Sequence, residues 1–118
     1  MAAADLTQAL QRAREIEITV TGRRSGRAIS NPVWFVEERD TLYLLPVRGS
    51  DTQWYRNVLK NPAIRVAADG AELSTDATPV TDPARVMEVE QKFRAKYGDA
   101  DVERYYPKRD VAVEIPVA

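Results

Sequence analysis

The dipeptide Asp69-Gly70 is the feature that most restricts the fold of this chain. It separates two runs rich in apolar and β-branched residues, 64–68 and 71–80. Asp-Gly favours two-residue turns whose twist matches that of antiparallel strands, because both positions accept a positive φ. We therefore predict a hairpin here, and an antiparallel sheet rather than a doubly wound parallel one.

Further segments carry strand patterns. Residues 16–21 alternate between apolar and polar side chains, which is the period of a strand with one buried face. Residues 27–36 and 41–47 are rich in β-branched and aromatic side chains, and the polar turn 37–40 joins them into a predicted second hairpin. Alternation in residues 111–116 predicts a last strand, whose proline suits a sheet edge.

Local sequence signals predict helices in three segments. Residues 5–14 begin with a capping box, formed by Asp5 and the glutamine three positions later. Residues 51–60 precede an Asn-Pro pair, at which a helix must end because the residue before proline resists the α region. The third helix begins at Asp82, which is followed by proline, and ends at Gly98.

Residues 99–106 lack a periodic apolar pattern and are predicted to be a short polar connection. No linker, repeat or low-complexity tract interrupts the chain, so we predict one domain over residues 1–118. Six strands, mostly antiparallel, with peripheral helices place it in the mainly β (α+β) class. A small barrel or a strongly coiled sheet is the expected architecture.

The 118 residues include neither histidine nor cysteine. Serine-type triads, zinc hydrolase motifs and disulfides therefore cannot be built from this chain, and we predict no metal site. The formal charge of −1 argues against a nonspecific nucleic-acid partner. We find no signal-peptide pattern and no apolar run long enough to span a bilayer, so we expect no stable membrane insertion and a cytoplasmic location.

Positive charge is concentrated in the glycine-bearing turn 22–26 and at its neighbour Arg27. Arg23, Arg24 and Arg27 can make charge-assisted hydrogen bonds to phosphate oxygens, and the Ser25 hydroxyl can fill a remaining position. A turn of this kind also brings successive backbone N–H groups together on an anion. The segment therefore predicts a phosphate-binding site.

A second loop, residues 48–54, carries another set of anion-binding features. Ser50 and the glutamine three positions later form a capping box, and a helix N-terminus presents unpaired N–H groups. If Val36 pairs with Thr41, the extended register places Arg27 opposite Ser50 and brings the two loops together. We therefore predict that both loops face one negatively charged ligand.

The same residues allow a simpler interpretation. A glycine turn with exposed arginines is also typical of a solvated hairpin, and Ser50 can serve only as a helix cap. Asp51 would repel a phosphate unless its carboxylate points away or pairs with Arg48 or Arg56.

Two stretches, "TGRRSGRAISNPVWFV" and "LYLLPVRGSDTQWYRNVLKNP", resemble the deazaflavin-dependent nitroreductase family of the FMN-binding-like superfamily. The shared pattern is a Gly-Arg-x-Ser-Gly turn, a proline-containing strand and Gly-x-x-x-x-Trp-Tyr-x-Asn, and it covers residues 18–66. The resemblance implies a six- to seven-stranded antiparallel split β-barrel with peripheral helices. It also implies a reductase that transfers hydride from a reduced deazaflavin coenzyme, factor 420, to a quinone, a nitroaromatic compound or an activated alkene.

The resemblance further implies roles for individual residues. In the family the glycine turn holds the phosphate and acidic tail of the coenzyme, and the Trp-Tyr-x-Asn helix lies beside the coenzyme. Apart from the resemblance, Tyr105 and Tyr106 are the expected catalytic residues, because they could reach over the mouth of the pocket and donate a hydrogen bond to the acceptor, although either can instead be a packing residue. The expected cofactor-binding residues are Arg23, Arg24, Ser25, Gly26, Arg27, Pro32, Trp34, Pro46, Val47, Gly49, Ser50, Trp54 and Asn57.

The chain departs from the family pattern at two positions. Arg56 stands where many members have histidine, and Val58 stands where the pattern has leucine. The acceptor therefore stays open. One alternative function is an FMN-binding split-barrel oxidoreductase, since the two cofactors differ mainly in the tail that the protein anchors. Another is a non-catalytic barrel that carries a cofactor or binds single-stranded nucleic acid. The acidic net charge argues against this alternative, and so does the location of Trp34 and Phe35 on opposite faces of their strand. A homodimer formed through a barrel face is the expected assembly.

Overall fold

The structure is a computed structural model that describes residues 2–117, without the side chains of residues 2–5 and 7. A short 3₁₀ helix, Gly49–Asp51, precedes the second α-helix. The other elements in chain order are α1 (Ala2–Arg12), β1 (Ile16–Thr21), β2 (Ala28–Val33), β3 (Val36–Glu38), β4 (Thr41–Leu44), α2 (Gln53–Lys60), β5 (Ala63–Ala68), β6 (Ala71–Asp76), β7 (Thr78–Val80), α3 (Pro83–Tyr97), α4 (Asp99–Tyr105) and β8 (Ala112–Pro116).

The strands of the described chain form two antiparallel four-stranded sheets. Sheet A has the order β2-β1-β5-β6, and sheet B has the order β3-β4-β8-β7. The α+β class and the antiparallel pairing are therefore confirmed. The strand count is corrected from six or seven to eight, and the two sheets stay open rather than closing into one barrel.

The Asp69-Gly70 hairpin is confirmed. Strands β5 and β6 pair with Ala68 opposite Ala71, which leaves a two-residue turn. The φ angles of Asp69 and Gly70 are 50° and 83°, as a primed hairpin turn requires at both central positions.

The predicted strands 27–36 and 71–80 each divide into two strands that belong to different sheets. In the first, the break includes Phe35, whose side chain is fully buried and whose backbone N–H and carbonyl both bond to the Tyr97 hydroxyl. In the second, the break falls at Ala77, which is also buried. Apolar and β-branched residues continue through both breaks, so the sequence pattern alone does not reveal the change of sheet.

The core consists of two hydrophobic clusters. The first joins the inward side chains of both sheets to Leu6 and Leu10 of α1 and to Val58 of α2. The second lies between sheet B and the last two helices, where it includes Phe93 of α3 and Val102 of α4. Sheet B is thus covered on both faces, and its position fixes α3 and α4 near the loop after β2.

The helix boundaries follow local signals only in part. The Asp82 carboxylate accepts a hydrogen bond from the Arg85 backbone N–H at 3.3 Å, and α3 ends at Gly98 with a φ of 96°, so both predicted ends are confirmed. Helix α1 already includes Asp5, so the predicted start there is wrong, and the side chain of Asp5 lies outside the described residues. No helix within residues 2–117 is both long and apolar enough to cross a membrane.

The predicted polar connection 99–106 is mostly helical, because it contains α4. Asp99 and Asp101 lie in the first turn, where carboxylates stabilise the positive end of the helix dipole. Val102 is the buried residue of this helix. A single buried apolar residue in seven gives no periodic signal, which is why the sequence did not predict α4.

Candidate functional site

The loop between β1 and β2, residues 22–27, is called the arginine turn from here on. The Gly22 N–H donates to the Arg27 carbonyl at 2.8 Å, and the Gly26 N–H donates to the Gly22 carbonyl at 2.9 Å. Gly26 has a φ of 72°, and a Cβ at Gly22 would lie 2.7 Å from the Ser25 Oγ. The positive φ favours glycine at position 26, and a larger residue at position 22 would displace the Ser25 hydroxyl.

Arg23 ties the arginine turn to helix α2. Its backbone N–H and its guanidinium both donate to the Asn57 Oδ1, at 3.1 and 2.8 Å, and a second guanidinium nitrogen donates to the Gln53 Oε1 at 2.8 Å. Asn57 is the buried polar residue of α2, with 4% of its surface exposed. A buried amide oxygen must be hydrogen-bonded, so this pair fixes the turn against the helix.

Arg24 and Ser25 stay exposed at the tip of the arginine turn. Among residues 2–117, the Arg24 guanidinium has no hydrogen-bond or ion-pair partner, and neither do the backbone N–H groups of Arg24 and Ser25. The Ser25 Oγ accepts a hydrogen bond from the Arg27 N–H at 3.2 Å, which leaves its hydroxyl proton free to donate. Two successive N–H groups, a hydroxyl and a guanidinium are thus available to an anion.

The exposed tip borders a cavity of about 440 Å³, called the polar cavity below. It lies between the arginine turn, β2 and the start of α2. The lining residues are Gly22, Arg23, Arg24, Ser25, Ile29, Asn31, Thr52, Gln53, Trp54 and Asn57.

A second cavity of about 400 Å³, called the aromatic cavity below, adjoins the first. Asn31, Thr52 and Trp54 line both cavities, so the two spaces share a wall. The remaining lining residues of the aromatic cavity are Glu15, Pro32, Val33, Trp34, Leu45, Val47, Tyr105 and Tyr106.

Trp34 forms the centre of an aromatic cluster at this cavity. Its ring stacks on Tyr97, with centroids 4.3 Å apart and planes 10° apart, and contacts Tyr105 edge to face at 5.5 Å. The Tyr97 hydroxyl lies 2.8 Å from the Arg14 carbonyl, and burial raises the pKa of this hydroxyl, so it stays protonated. Tyr97 therefore holds the Trp34 ring in one orientation.

The two predicted catalytic tyrosines differ in environment. Tyr105 is 47% exposed, and its ring borders the mouth of the aromatic cavity. Tyr106 is 3% exposed and packs edge to face on Phe93 at 5.7 Å, in the second hydrophobic cluster. Burial raises the pKa of Tyr106 above its ordinary value. Of the two hydroxyls, that of Tyr105 is the accessible one.

The predicted second anion-binding loop is filled by an aspartate of the chain itself. The backbone N–H and the hydroxyl of Ser50 donate to the two carboxylate oxygens of Asp110, at 2.9 and 2.6 Å. A Cβ at Gly49 would collide with the same carboxylate. Asp51 pairs with Arg56 at 2.8 Å and with Lys108 at 2.9 Å. Burial raises the pKa of Asp110, but the hydrogen bonds from Ser50 outweigh it and the net pKa is lowered.

Two local predictions about this loop are wrong. Strand β3 pairs with β4 through Val36 opposite Tyr43, not Thr41, and β2 belongs to the other sheet, so Arg27 has no register with Ser50. Helix α2 begins at Gln53 with Thr52 as its N-cap, so Ser50 and Gln53 form no capping box. The Thr52 Oγ1 accepts a hydrogen bond from the Arg48 N–H at 2.7 Å instead.

The predicted site residues divide between cavity walls and other positions. Two predicted residues of the arginine turn, Gly26 and Arg27, lie outside both cavity walls, as do Pro46, Gly49 and Ser50. Those that line one or both cavities are Arg23, Arg24, Ser25, Pro32, Trp34, Val47, Trp54, Asn57, Tyr105 and Tyr106.

Asn31, Gln53, Thr52 and Glu15 line the cavities but were not predicted as site residues. The sequence carried a signal for one of them, because Asn31 precedes a predicted wall residue in the same strand. The sequence pattern predicts Gln53 as part of a helix cap. Glu15 lies next to a predicted strand with no local motif to mark it.

The arrangement of two open antiparallel sheets flanked by helices is shared with proteins of the deazaflavin-dependent nitroreductase-like fold. A structure described as "F420-H2 Dependent Reductase (FDR-A)" matches with a TM-score of 0.68 and 21% identity, over 86% of this chain and 93% of that chain. The resemblance found in the sequence is thereby confirmed for the fold. A sequence model of the family described as "Uncharacterized protein conserved in bacteria (DUF2255)" matches residues 6–112, and the chain belongs to that family.

Other structures with this fold have different descriptions. HutZ, the heme storage protein from Vibrio cholerae, matches with a TM-score of 0.72 and 12% identity, over 98% of this chain and 89% of that chain. A structure described as a domain-swapped dimer matches with a TM-score of 0.68 and 19% identity, over 95% of this chain and 94% of that chain. No protein of curated function matches the sequence. The fold is therefore compatible with more than one function.

Proposed function

We propose that this protein is a deazaflavin-dependent reductase that delivers hydride from the reduced coenzyme to a small organic acceptor. The observation that carries the proposal is the junction of the polar and aromatic cavities at Asn31, Thr52 and Trp54. A coenzyme of this type combines a flat ring with a long polyanionic tail. An apolar space with aromatic walls beside a space with cationic and N–H donors matches both parts.

The donor set of the polar cavity fits the tail by its chemistry. Arg24 can make a bidentate bond to a phosphate, and the adjacent N–H groups of Arg24 and Ser25 can converge on one oxygen. Arg23 contributes positive charge, but its guanidinium already donates hydrogen bonds to Asn57 and Gln53. We therefore assign the direct contact to Arg24 and Ser25, and the support of the turn to Arg23.

The chain needs little catalytic apparatus for this reaction. When bound, a reduced deazaflavin supplies the hydride, which together with one proton reduces a quinone to a hydroquinone while the coenzyme is oxidised. Trp34 and Trp54 keep water away from the aromatic cavity, and the exposed Tyr105 hydroxyl can donate a hydrogen bond to the acceptor oxygen. None of these roles requires histidine, which the chain lacks.

A fluorescence titration with the deazaflavin coenzyme and with FMN tests the proposal. We expect the deazaflavin to bind more tightly, Arg24→Ala to weaken it by about ten- to a hundredfold, and Ser25→Ala by a few-fold. Tighter binding of FMN would favour the FMN-binding oxidoreductase. Binding of neither cofactor would contradict the proposal and favour a binding module without catalysis. Unchanged affinity in both variants would contradict the phosphate contact assigned to Arg24 and Ser25.

We also propose that the protein assembles as a homodimer. Strands β2 and β6 are the edge strands of sheet A, and β3 and β7 are those of sheet B, so edges remain to which a second copy could add. The similar structure described as a domain-swapped dimer agrees with this assembly. Light scattering during gel filtration should give twice the 13.3 kDa mass of one chain. A mass equal to one chain at all concentrations would contradict it.

A further inference from the structure

Glu15 is the one charged side chain among the residues of 2–117 that line the aromatic cavity. It is exposed, and no hydrogen bond or ion pair to another described residue occupies its carboxylate. The other lining side chains are apolar, aromatic or neutral polar. A molecule in this cavity therefore meets a single formal charge, and that charge is negative.

The backbone around Glu15 is held on both sides. The preceding residue, Arg14, accepts a hydrogen bond from the Tyr97 hydroxyl at its carbonyl. The following residue, Ile16, begins β1 and pairs with the last residue of β2. Continuing that antiparallel register by one position places Glu15 beside Trp34. The backbone of Glu15 is thus held next to Trp34, the residue that carries the central ring of the aromatic cluster.

The other charged groups near Glu15 lie outside the cavity lining. Glu17 pairs with Pro32 and shares a face with Glu15, because side chains two positions apart in a strand point the same way. The cations Arg14, Lys96 and Arg104 lie over rings of Tyr97, Phe35 and Tyr105, at 5.3, 3.6 and 5.3 Å. None of these three cations lines the aromatic cavity.

We propose that Glu15 sets the charge preference of the aromatic cavity, so that it takes neutral or cationic aromatic acceptors and disfavours anionic ones. The inference rests on the proposed function for the role of the cavity as the acceptor site. A carboxylate and an anionic substituent several ångströms apart at a partly hydrated mouth repel each other enough to change affinity by about three- to tenfold. The effect decreases as salt screens the pair.

Quenching of tryptophan fluorescence in the protein without coenzyme tests this inference. Trp34 and Trp54 are the two tryptophans of the chain, and both line the aromatic cavity. Because Trp54 also lines the polar cavity, the titrations are made in the Arg24→Ala background, which removes the open cation of that cavity, and the Glu15 and Glu17 variants are compared there. The probes are 2-methyl-1,4-naphthoquinone, which is neutral, and 1,4-naphthoquinone-2-sulfonate, which is anionic on the same ring. We expect the sulfonate to bind more weakly, and Glu15→Gln to tighten its binding about three- to tenfold while the neutral quinone changes less than twofold.

Glu17→Gln is the matched control, because it removes the same charge from the same face outside the cavity. We expect it to change the sulfonate affinity less than twofold. Unchanged sulfonate affinity in Glu15→Gln, equal tightening of both quinones, or no quenching by either quinone would overturn the inference. The coenzyme titration is a separate measurement, so charge selection without coenzyme binding would reject the reductase function while keeping the role of Glu15.

Discussion

The arginine turn and the loop around Ser50 carry similar sequence features, yet the fold treats them in opposite ways. Both combine glycine, serine and arginine beside helix α2. In the Ser50 loop, the Asp110 carboxylate takes the serine N–H and hydroxyl. In the arginine turn, the amide oxygen of Asn57 accepts hydrogen bonds from Arg23 only. The donors of Arg24 and Ser25 stay open to the polar cavity.

The difference lies in the charge of the internal acceptor. A carboxylate accepts the N–H and the hydroxyl of the serine and adds a negative charge of its own, so Ser50 has no donor left for a ligand. A neutral amide oxygen holds the turn in place without cancelling the arginine charge. Loop sequence alone therefore does not distinguish a binding site from a structural contact, and the partner that folds against the loop does.

Asn57→Leu removes the neutral acceptor and is expected to have the largest effect on stability and on coenzyme affinity. The Arg23 backbone N–H and guanidinium lose the amide oxygen that they share, so we expect the free energy of unfolding to fall by about 2 kcal/mol. The turn would also lose its fixed position, and coenzyme affinity should fall more than tenfold. Urea unfolding and coenzyme titration measure the two effects.

Asn57→Asp separates the two roles of this residue. It keeps an acceptor for Arg23 but places a negative charge at the polar cavity, so we expect a smaller loss of stability and the same or greater loss of coenzyme affinity. Full coenzyme affinity in Asn57→Asp would show that the polar cavity does not hold the anionic tail.

The second prediction removes the charged acceptor, by Asp110→Ala. Two hydrogen bonds to Ser50 disappear from a partly exposed site, so the free energy of unfolding should fall by about 1 kcal/mol. Coenzyme affinity should change less than twofold, because neither Ser50 nor Asp110 lines either cavity. A clear gain in affinity would show that the uncovered loop is a second part of the anion site.

The third prediction follows from the pKa of Asp110, which the hydrogen bonds from Ser50 lower against the opposing effect of burial. A group with a depressed folded-state pKa stabilises the protein above its unfolded-state pKa of about 3.9. That contribution is lost as the pH falls through the lower folded-state value. The difference in unfolding free energy between wild type and Asp110→Asn should therefore be constant above about pH 5, stay below about 1 kcal/mol, and shrink below pH 4.

A difference that grew on acidification would contradict the role assigned to Asp110. The comparison with Asp110→Asn cancels acidic groups with lowered pKa that share no partner with Asp110, such as Glu38, because both proteins contain them. Chemical unfolding at a series of pH values measures the difference directly.

The parts of the fold that sequence predicted correctly depend on neighbouring residues. The turn at Asp69 and the ends of α3 at Asp82 and Gly98 are each set by backbone conformations and hydrogen bonds within a few positions. Local physical chemistry determines such features, so a single sequence contains enough information to predict them.

The features that sequence missed depend on contacts between distant residues. Arg23 and Asn57 are 34 positions apart, and Ser50 and Asp110 are 60 positions apart. The change of sheet near Phe35 likewise requires the Tyr97 hydroxyl, 62 positions away. The residues of the candidate site were partly recognisable from a motif, but which donors stay open depends on pairings that no local pattern encodes.

Arg27→Ala is expected to have the smallest effect on coenzyme affinity. It therefore gives the sharpest contrast with Arg24→Ala. The contacts of Arg27 within the turn are made by its backbone, since its N–H donates to the Ser25 Oγ and its carbonyl accepts from Gly22. Alanine preserves both, and the Arg27 side chain lies outside the polar cavity wall. We therefore expect coenzyme affinity to change less than twofold, against tenfold or more for Arg24→Ala, in titrations at equal ionic strength. Equal losses in the two variants, both abolished by salt, would mean that a diffuse positive field attracts the ligand and that the turn offers no defined phosphate contact.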